Sequence, residues 1–139
     1  MASTTFSGPV TSTNGFIGAV TGAVTGNVTG NVAGNVTGNI TGDIFATNQA
    51  LSGAGAVNVT DMLTSLTTTG ASQALTLANG TVGQVKVVVH VVDGGSAVLT
   101  PTTKIGFSTI TFTAVGDAVT MIYTTAGWAI VGDRGVTIA

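Results

Sequence analysis

The sequence predicts an all-β protein, in which an extended Gly/Val-rich N-terminal arm of intertwined β structure precedes a small antiparallel β-sandwich or barrel. Residues 20–44 repeat a four-residue unit, mostly Val-Thr-Gly-Asn, with no charge before Asp43. Further along, short runs rich in Val, Ile and Thr alternate with Gly- and Asp-containing turns, at roughly the 8–12-residue spacing typical of sandwiches and barrels. These patterns divide the chain into a lead-in at residues 1–19, an arm and linker at 20–55 and a β domain at 56–139.

The repeat favours extended chain over helix, because Gly recurs every fourth residue and Val and Thr are β-branched. Ordering four residues costs roughly 4–8 kcal/mol of backbone entropy. Burying one Val returns only about 1.5–3 kcal/mol. We therefore expect the arm to pair with other chains, and the alternative is a disordered low-complexity tract. The expected assembly contacts are Val20, Val24, Val28, Val32, Val36, Ile40 and Ile44.

In the β domain, strands are expected where β-branched or aromatic residues alternate with polar ones. Residues 81–92 alternate Val with polar residues and end at Asp93-Gly94-Gly95, a hairpin signal that predicts a return strand at 97–100. The only helical signal is one turn near residues 59–66, with Thr60 as its N-cap. Further strands are expected at 108–113, 118–124, 128–131 and 136–138, with turns at 116–117, 126–127 and 132–135.

Charge is scarce along the whole chain. Three basic and five acidic residues make up 6% of the sequence, against about a quarter in soluble globular proteins. Three basic residues cannot neutralise the several phosphates that nucleic-acid binding requires, so we expect no nucleic-acid partner. No apolar run approaches the roughly 20 residues that span a bilayer, and the start lacks signal-peptide features, so we expect neither membrane insertion nor export by a leader. We expect an assembly to cover much of this surface.

Candidate chemistry centres on His90, the one histidine. It lies among valines and is expected on the opposite face from them, as a surface or subunit-interface imidazole. A nucleophile–base pair with Ser96 or Ser108, oriented by Asp93, lacks the strained turn that activates a nucleophile. The aspartates fall mostly in turns and form no D-x-D-x-D cluster, so we expect no metal, no cofactor and no enzymatic activity.

The two largest aromatic side chains, Trp128 and Tyr123, are expected in the core of the β domain. The alternative is that they stack against a sugar ring.

Three segments resemble phage proteins. The Val-Thr-Gly-Asn units resemble the V-x-G-x-x-x-x-x octad of the intertwined three-stranded β-helices in contractile phage tail needles, although they repeat every four residues and lack charged octad positions. Residues 110–123, Ile-Thr-Phe-Thr-Ala-Val-Gly-Asp-Ala-Val-Thr-Met-Ile-Tyr, with Gly-Trp-Ala-Ile-Val-Gly at 127–132, resemble the small all-β ending of tailed-phage virion proteins. The opening Ser-Thr-Thr-Phe-Ser-Gly-Pro-Val at 3–10 is similar to the start of such structural proteins.

The resemblance implies a virion component that assembles in the host cytoplasm: a homotrimeric head-decoration, or cement, protein that stabilises the capsid through its arm. The implied partners are further copies of the chain and the major capsid protein or other virion proteins. The alternative is a trimeric tail fibre or spike that binds host-surface glycans, which predicts an exposed aromatic near Trp128.

Overall fold

A computed structural model describes residues 36–37 and 39–139. The chain divides into two units, residues 1–40 and 41–139. In the first unit, residues 36–37 and 39–40 are exposed and form no strand. All strands in the described part belong to the second unit: β1 (Asn48–Ser52), β2 (Gly55–Val57), β3 (Leu63–Thr67), β4 (Gln73–Leu77), β5 (Val85–Val92), β6 (Ala97–Pro101), β7 (Ile110–Phe112), β8 (Ala118–Thr124), β9 (Gly127–Arg134) and β10 (Thr137–Ile138).

These strands form two five-stranded sheets, so the predicted all-β class is confirmed. Sheet 1 has the order β1-β3-β5-β8-β9, and sheet 2 has the order β10-β7-β6-β4-β2. The described residues contain no helix, and accordingly none that is long and apolar enough to cross a membrane. The single helical turn expected near residues 59–66 is wrong, because β3 occupies the second half of that segment and the first half is not helical.

The first six strands follow a coiled path. The chain alternates between the sheets, so that β1, β3 and β5 are parallel neighbours in sheet 1 and β2, β4 and β6 are parallel neighbours in sheet 2. Each pair of consecutive strands therefore forms one turn of a coil, and the next pair stacks beside it. This path corrects the expected purely antiparallel sandwich: both sheets are mixed.

The last four strands complete both sheets by antiparallel pairing. β8 pairs with β5, and β7 pairs with β6. The predicted turn at residues 126–127 is confirmed as a hairpin, in which Thr124 pairs with Gly127. The Asp93–Gly95 turn is different, because it carries the chain from β5 in sheet 1 to β6 in sheet 2. It is a corner of the sandwich, and the predicted hairpin at this place is wrong.

The core lies between the sheets. Trp128, Met121 and Val88 fill it from sheet 1, while Phe112 and Leu99 fill it from sheet 2, and all are fully buried. The sequence pattern starts the β domain at residue 56, whereas β1 begins at Asn48 and pairs with β3 along its length. The segment assigned to the linker thus supplies the first strand.

Candidate assembly surface

The expected assembly contacts fall into two groups. Val20, Val24, Val28 and Val32 lie outside the described residues. Val36, Ile40 and Ile44 are described, and each is exposed, with Ile44 at 73%. Beside Ile44, Phe45 is 89% exposed. Ile44 and Phe45 thus form an apolar step immediately before β1, with no cover from the described part of their own unit.

A second apolar surface lies on the solvent side of sheet 1. Lys86, Val88 and His90 of β5 are buried, so the alternating residues of the same strand face outward. The strand pairings place these residues beside outward residues of β3 and β8. We call this surface the sheet 1 outer face, and its members are Leu63, Val85, Val87, Val89 and Ile122.

These five side chains are aliphatic and partly buried by their neighbours, and Ser65 and Thr120 lie among them on the same face. Val87 pairs with Leu63 on one side and with Thr120 on the other. Val85 pairs with Ile122, which in turn pairs with Ala129. A sheet with one solvated face usually alternates apolar and polar residues. Here the outward row of the central strand β5 is entirely apolar, which is typical of a face that meets another protein.

The outer face of sheet 2 has a different character. Thr76 pairs with Thr100 across β4 and β6, and both are exposed. Ala74 on β4 and Thr137 on β10 are also exposed. Small and hydroxylated side chains of this kind allow a sheet surface to be hydrated. The two faces of the sandwich therefore differ in degree: sheet 1 has a central row of valines along β5, flanked by Leu63 and Ile122, where sheet 2 has mostly threonine.

The edge strands β1 and β2 differ in whether their outward backbone groups have hydrogen-bond partners. The side-chain amide of Gln49 on β1 donates to the C=O of Ala56 at 2.8 Å and accepts from the N–H of Asn58 at 2.9 Å. Gln49 thus occupies the outward backbone groups of β2, as a neighbouring strand would. In the described part of the chain, no comparable group covers the outward edge of β1.

The opposite edge of the sandwich is better protected. The N–H of Trp128 donates to the C=O of Thr103 at 2.9 Å, and the N–H of Ile105 donates to the C=O of Trp128 at 2.9 Å. Strand β9 also carries Asp133 and Arg134 and contains a register shift opposite Thr120. Charges and bulges are the usual devices that prevent strand addition at an edge.

His90 is buried, so the predicted surface imidazole is wrong. Its Nε2 lies 3.0 Å from the Thr68 hydroxyl oxygen. That hydroxyl donates to the C=O of Gly95 at 2.9 Å and accepts from the N–H of Gly94 at 2.9 Å. Because the hydroxyl has one proton and gives it to Gly95, we assign the proton of His90 to Nε2. The buried Nδ1 has no hydrogen-bond partner.

The structure does not bring His90 together with the serines that could form a nucleophile–base pair. The Ser96 hydroxyl accepts from the N–H of Ser72 at 2.8 Å instead, and the Asp93 carboxylate accepts from the N–H of Gly95 at 2.8 Å. The hydrogen bonds of His90 and Thr68 therefore stabilise the corner between β5 and β6.

Lys86 is a second buried polar residue. Its Nζ donates to the C=O of Asp61 at 2.7 Å, and the loop that carries this C=O is closed by the Asn58 side chain, which donates to the Asp61 carboxylate at 2.7 Å. Burial lowers the pKa of Lys86 to about 8, and the negative charge of Asp61 opposes part of this shift. Lys86 thus fixes the loop between β2 and β3.

Asp117 is buried at the turn between β7 and β8. Its carboxylate accepts from the N–H of Thr113 at 2.7 Å and from the N–H of Ala114 at 3.0 Å. Burial acts to raise the pKa of Asp117, but these hydrogen bonds, the Thr113 hydroxyl and the proximity of His90 together hold it below its usual value. Asp117 therefore works as a turn anchor, as expected for an aspartate in a Gly-Asp turn.

Trp128 is fully buried, as expected for a core residue. Its indole N–H donates to the C=O of Ala78 at 2.9 Å. Tyr123 packs edge-on against it, with the ring centroids 5.1 Å apart. A tryptophan enclosed in this way presents no ring face to a sugar.

Comparison with known proteins adds no relative. No protein-family model matches the chain, and no curated protein matches it in sequence. Within residues 36–37 and 39–139, no three metal-ligating side chains lie together.

Two features of the site were absent from the sequence-based expectations. One is the sheet 1 outer face, and its signal was present in the chain: Val87, Val88 and Val89 are consecutive, so β5 is apolar on both faces. The other is the Gln49 side chain over β2, for which we find no sequence signal, because a single glutamine in a polar segment is unremarkable.

Proposed function

We propose that this chain is a non-enzymatic structural protein of a phage particle, a homotrimeric decoration or cement protein that stabilises the capsid through its extended arm. The observation that carries the proposal is the sheet 1 outer face, which is aliphatic, uncharged and on the solvent side of a sheet. The exposed pair Ile44 and Phe45, at the junction with the arm, extends the apolar surface available to partners.

The magnitudes favour combined use of the arm and the sheet face. The five members of the sheet 1 outer face are each less than about a third exposed, so covering them contributes at most about a third of the usual 1.5–3 kcal/mol each, or roughly 3–5 kcal/mol together. Association costs about 4–15 kcal/mol in lost translational and rotational freedom. Covering this face alone therefore does not offset the cost of association, and a stable complex needs the additional contacts of an arm.

The low charge supports the same function. With three basic and five acidic residues, subunits approach one another without strong like-charge repulsion. The same scarcity limits colloidal stability of a free monomer. We propose that the partners are two further copies of the chain and the major capsid protein or other virion proteins, and that the site of action is the virion, assembled in the host cytoplasm.

The test is the mass of the purified full-length protein in solution, measured by light scattering over a range of concentrations. We expect a trimer. Val87→Lys places a charge in the sheet 1 outer face and should weaken association at least tenfold. Thr100→Lys places the same charge on the outer face of sheet 2 and is the matched control, for which we expect no change.

A stable monomer at all concentrations would contradict the proposal, as would equal effects of the two lysine variants. Particle-level function has its own test. Peptide mass spectrometry of purified particles that encode this sequence should detect the chain in many copies, and its absence from them would exclude a virion role.

The glycan-binding fibre remains the alternative hypothesis, but no observation favours it. It predicts an exposed aromatic near Trp128, and Trp128 is buried with its N–H bonded to Ala78.

A further inference from the structure

The edge strand β1 directs a set of backbone groups away from its sheet. The N–H of Leu63 donates to the C=O of Thr47 at 3.0 Å, and the N–H of Gly53 donates to the C=O of Thr67 at 2.9 Å. The backbone groups of both Thr47 and Gly53 therefore point toward β3. Since alternate residues of a strand direct their backbone groups to the same side, the odd-numbered residues from 47 to 53 all face β3.

The backbone N–H and C=O groups of the even-numbered residues of β1 consequently point away from β3, toward the open edge of the sheet. The N–H and C=O groups of Asn48, Ala50 and Ser52 have no hydrogen-bond partner within residues 36–37 and 39–139. The strand carries no charge, no proline and no bulge in its five residues. These are the devices that normally prevent strand addition. The adjacent β2 edge is covered by the Gln49 side chain, so the open position belongs to sheet 1 alone.

The described part of the chain does not fill this position itself. In the coil, β2 ends at Val57 before β3 begins at Leu63, and β4 ends at Leu77 before β5 begins at Val85. If the coil continued upstream with this spacing, a strand of sheet 2 would end at about residues 40–42. Residues 39–47 form no strand and are exposed. Within the described residues, the coil therefore begins at β1.

We infer that the outward edge of β1 accepts a strand from the Val/Gly tract, residues 20–44, of a second copy of this chain. The inference rests on the proposed homotrimer and names the surface that receives its arm. Strand addition of this type uses main-chain hydrogen bonds for affinity. The tract is uncharged before Asp43, and β1 is uncharged, so no repulsion opposes the pairing.

The side chains of the tract suit both faces at this edge. Leu51 points inward, packs against the core and is only half-buried, so a Val of the incoming strand would cover it. The Ala50 side chain lies on the solvent face of sheet 1 and is small and exposed, which leaves room for Thr or Asn beside it. An arm that binds the edge of the next copy makes a heterologous contact, and three such contacts close a ring.

Proline at Ala50 tests the edge directly. Ala50→Pro removes one outward N–H and no hydrogen bond to β3, and proline is tolerated in edge strands. Ala50→Thr keeps the N–H and is the matched control. We expect light scattering to show at least tenfold weaker association for Ala50→Pro and association within twofold of the parent for Ala50→Thr. Equal association of all three proteins would overturn the inference.

Cysteine pairs provide a second test that does not depend on proline. The chain has no cysteine, so introduced thiols are the only ones present. One tagged copy carries Ala50→Cys, and a second copy with a different tag carries cysteine at each residue from 20 to 44 in turn, which covers every register of the tract. After mixing and oxidation, we expect disulfide-linked heterodimers only at positions that are an even number of residues apart, because alternate residues share a face.

The outcomes separate this inference from the proposed function. If the parent protein is a trimer but no position from 20 to 44 gives a heterodimer, the arm binds elsewhere and the inference fails while assembly stands. If both cysteines in one chain form an intrachain disulfide in the monomer, the edge is filled by the same copy and the inference also fails. If the parent protein is a monomer, both proposals fail.

Discussion

Thr68 is predicted to be the most stability-sensitive hydroxyl of the β domain. It is 2% exposed and joins three groups: the His90 ring and the backbone of Gly94 and Gly95. Thr68→Val keeps the size and shape of the side chain and removes only the hydroxyl. The substitution leaves the His90 Nε2–H buried without an acceptor, next to an Nδ1 that already has no partner.

The magnitude follows from the burial of each orphaned group. A buried donor without a partner costs about 1–3 kcal/mol. Gly94 is exposed and Gly95 half-buried, so water compensates much of their loss. We therefore expect Thr68→Val to lower the free energy of unfolding by about 2–4 kcal/mol. Thr68→Ser keeps the hydroxyl and loses one methyl group, so it should cost only about 1 kcal/mol.

The assay is urea unfolding followed by circular dichroism at one fixed protein concentration, with linear extrapolation to water. Thr76→Val is the control, because Thr76 is exposed on the outer face of sheet 2, and a surface change of this kind stays within about 0.5 kcal/mol. The reasoning is refuted if Thr68→Val also stays within 0.5 kcal/mol, or if Thr68→Ser costs as much as Thr68→Val.

Two further predictions concern Lys86 and Trp128. Because burial lowers the Lys86 pKa from 10.5 in the unfolded chain to about 8, the unfolded state binds more protons between these values, and stability should rise with pH across that window by about 1–3 kcal/mol. Urea unfolding at pH 7 and pH 10 should show this rise in the parent protein and not in Lys86→Met; the same rise in both would rule out Lys86 as its source. Trp128 is the only tryptophan and is buried, so its fluorescence should be blue-shifted and weakly quenched by iodide, and strong quenching would show that the ring is exposed. Trp128→Phe removes the hydrogen-bond donor to the C=O of Ala78 and creates a cavity beside it. The substitution should lower the free energy of unfolding by about 2–4 kcal/mol.

The turns show what local sequence does and does not determine. The hairpin at Thr124 and Gly127 and the corner at Asp93–Gly95 both contain glycine at a positive φ and satisfy their backbone with a nearby side chain. Local chemistry therefore predicted that the chain turns at both places. It did not predict which sheet the chain enters next, because that depends on partners distant in sequence, such as the Thr68 C=O packed against Gly94.

The orientation of β5 shows a limit of hydrophobic periodicity. The alternation predicted that His90 points outward, since polar residues usually face solvent, and Lys86 lies on the same side of the strand. Both point inward, because the interior supplies partners for them, the Thr68 hydroxyl and the C=O of Asp61. Period-two patterns assign faces only when one face is polar, and β5 has valines on both.

The sequence indicated the arm as a candidate site, because its repeat has no core of its own. Its described members Ile40 and Ile44 are exposed, and their contact with partners stays a prediction. The remaining surfaces arise from strand pairing. Leu63 and Ile122 are far apart in sequence and come onto one face only because β3 and β8 flank β5.

The two chain ends of the β domain leave from opposite sides. The N-terminal connector enters at β1, while Ala139 exchanges hydrogen bonds with Thr109 beside β7 and β10, across the width of the stack. Four strand spacings separate these edges, or roughly 20 Å. A tag, fluorophore or displayed peptide fused after Ala139 would project from the far side and leave the receiving strand unobstructed, whereas cargo placed between residues 44 and 48 would block it.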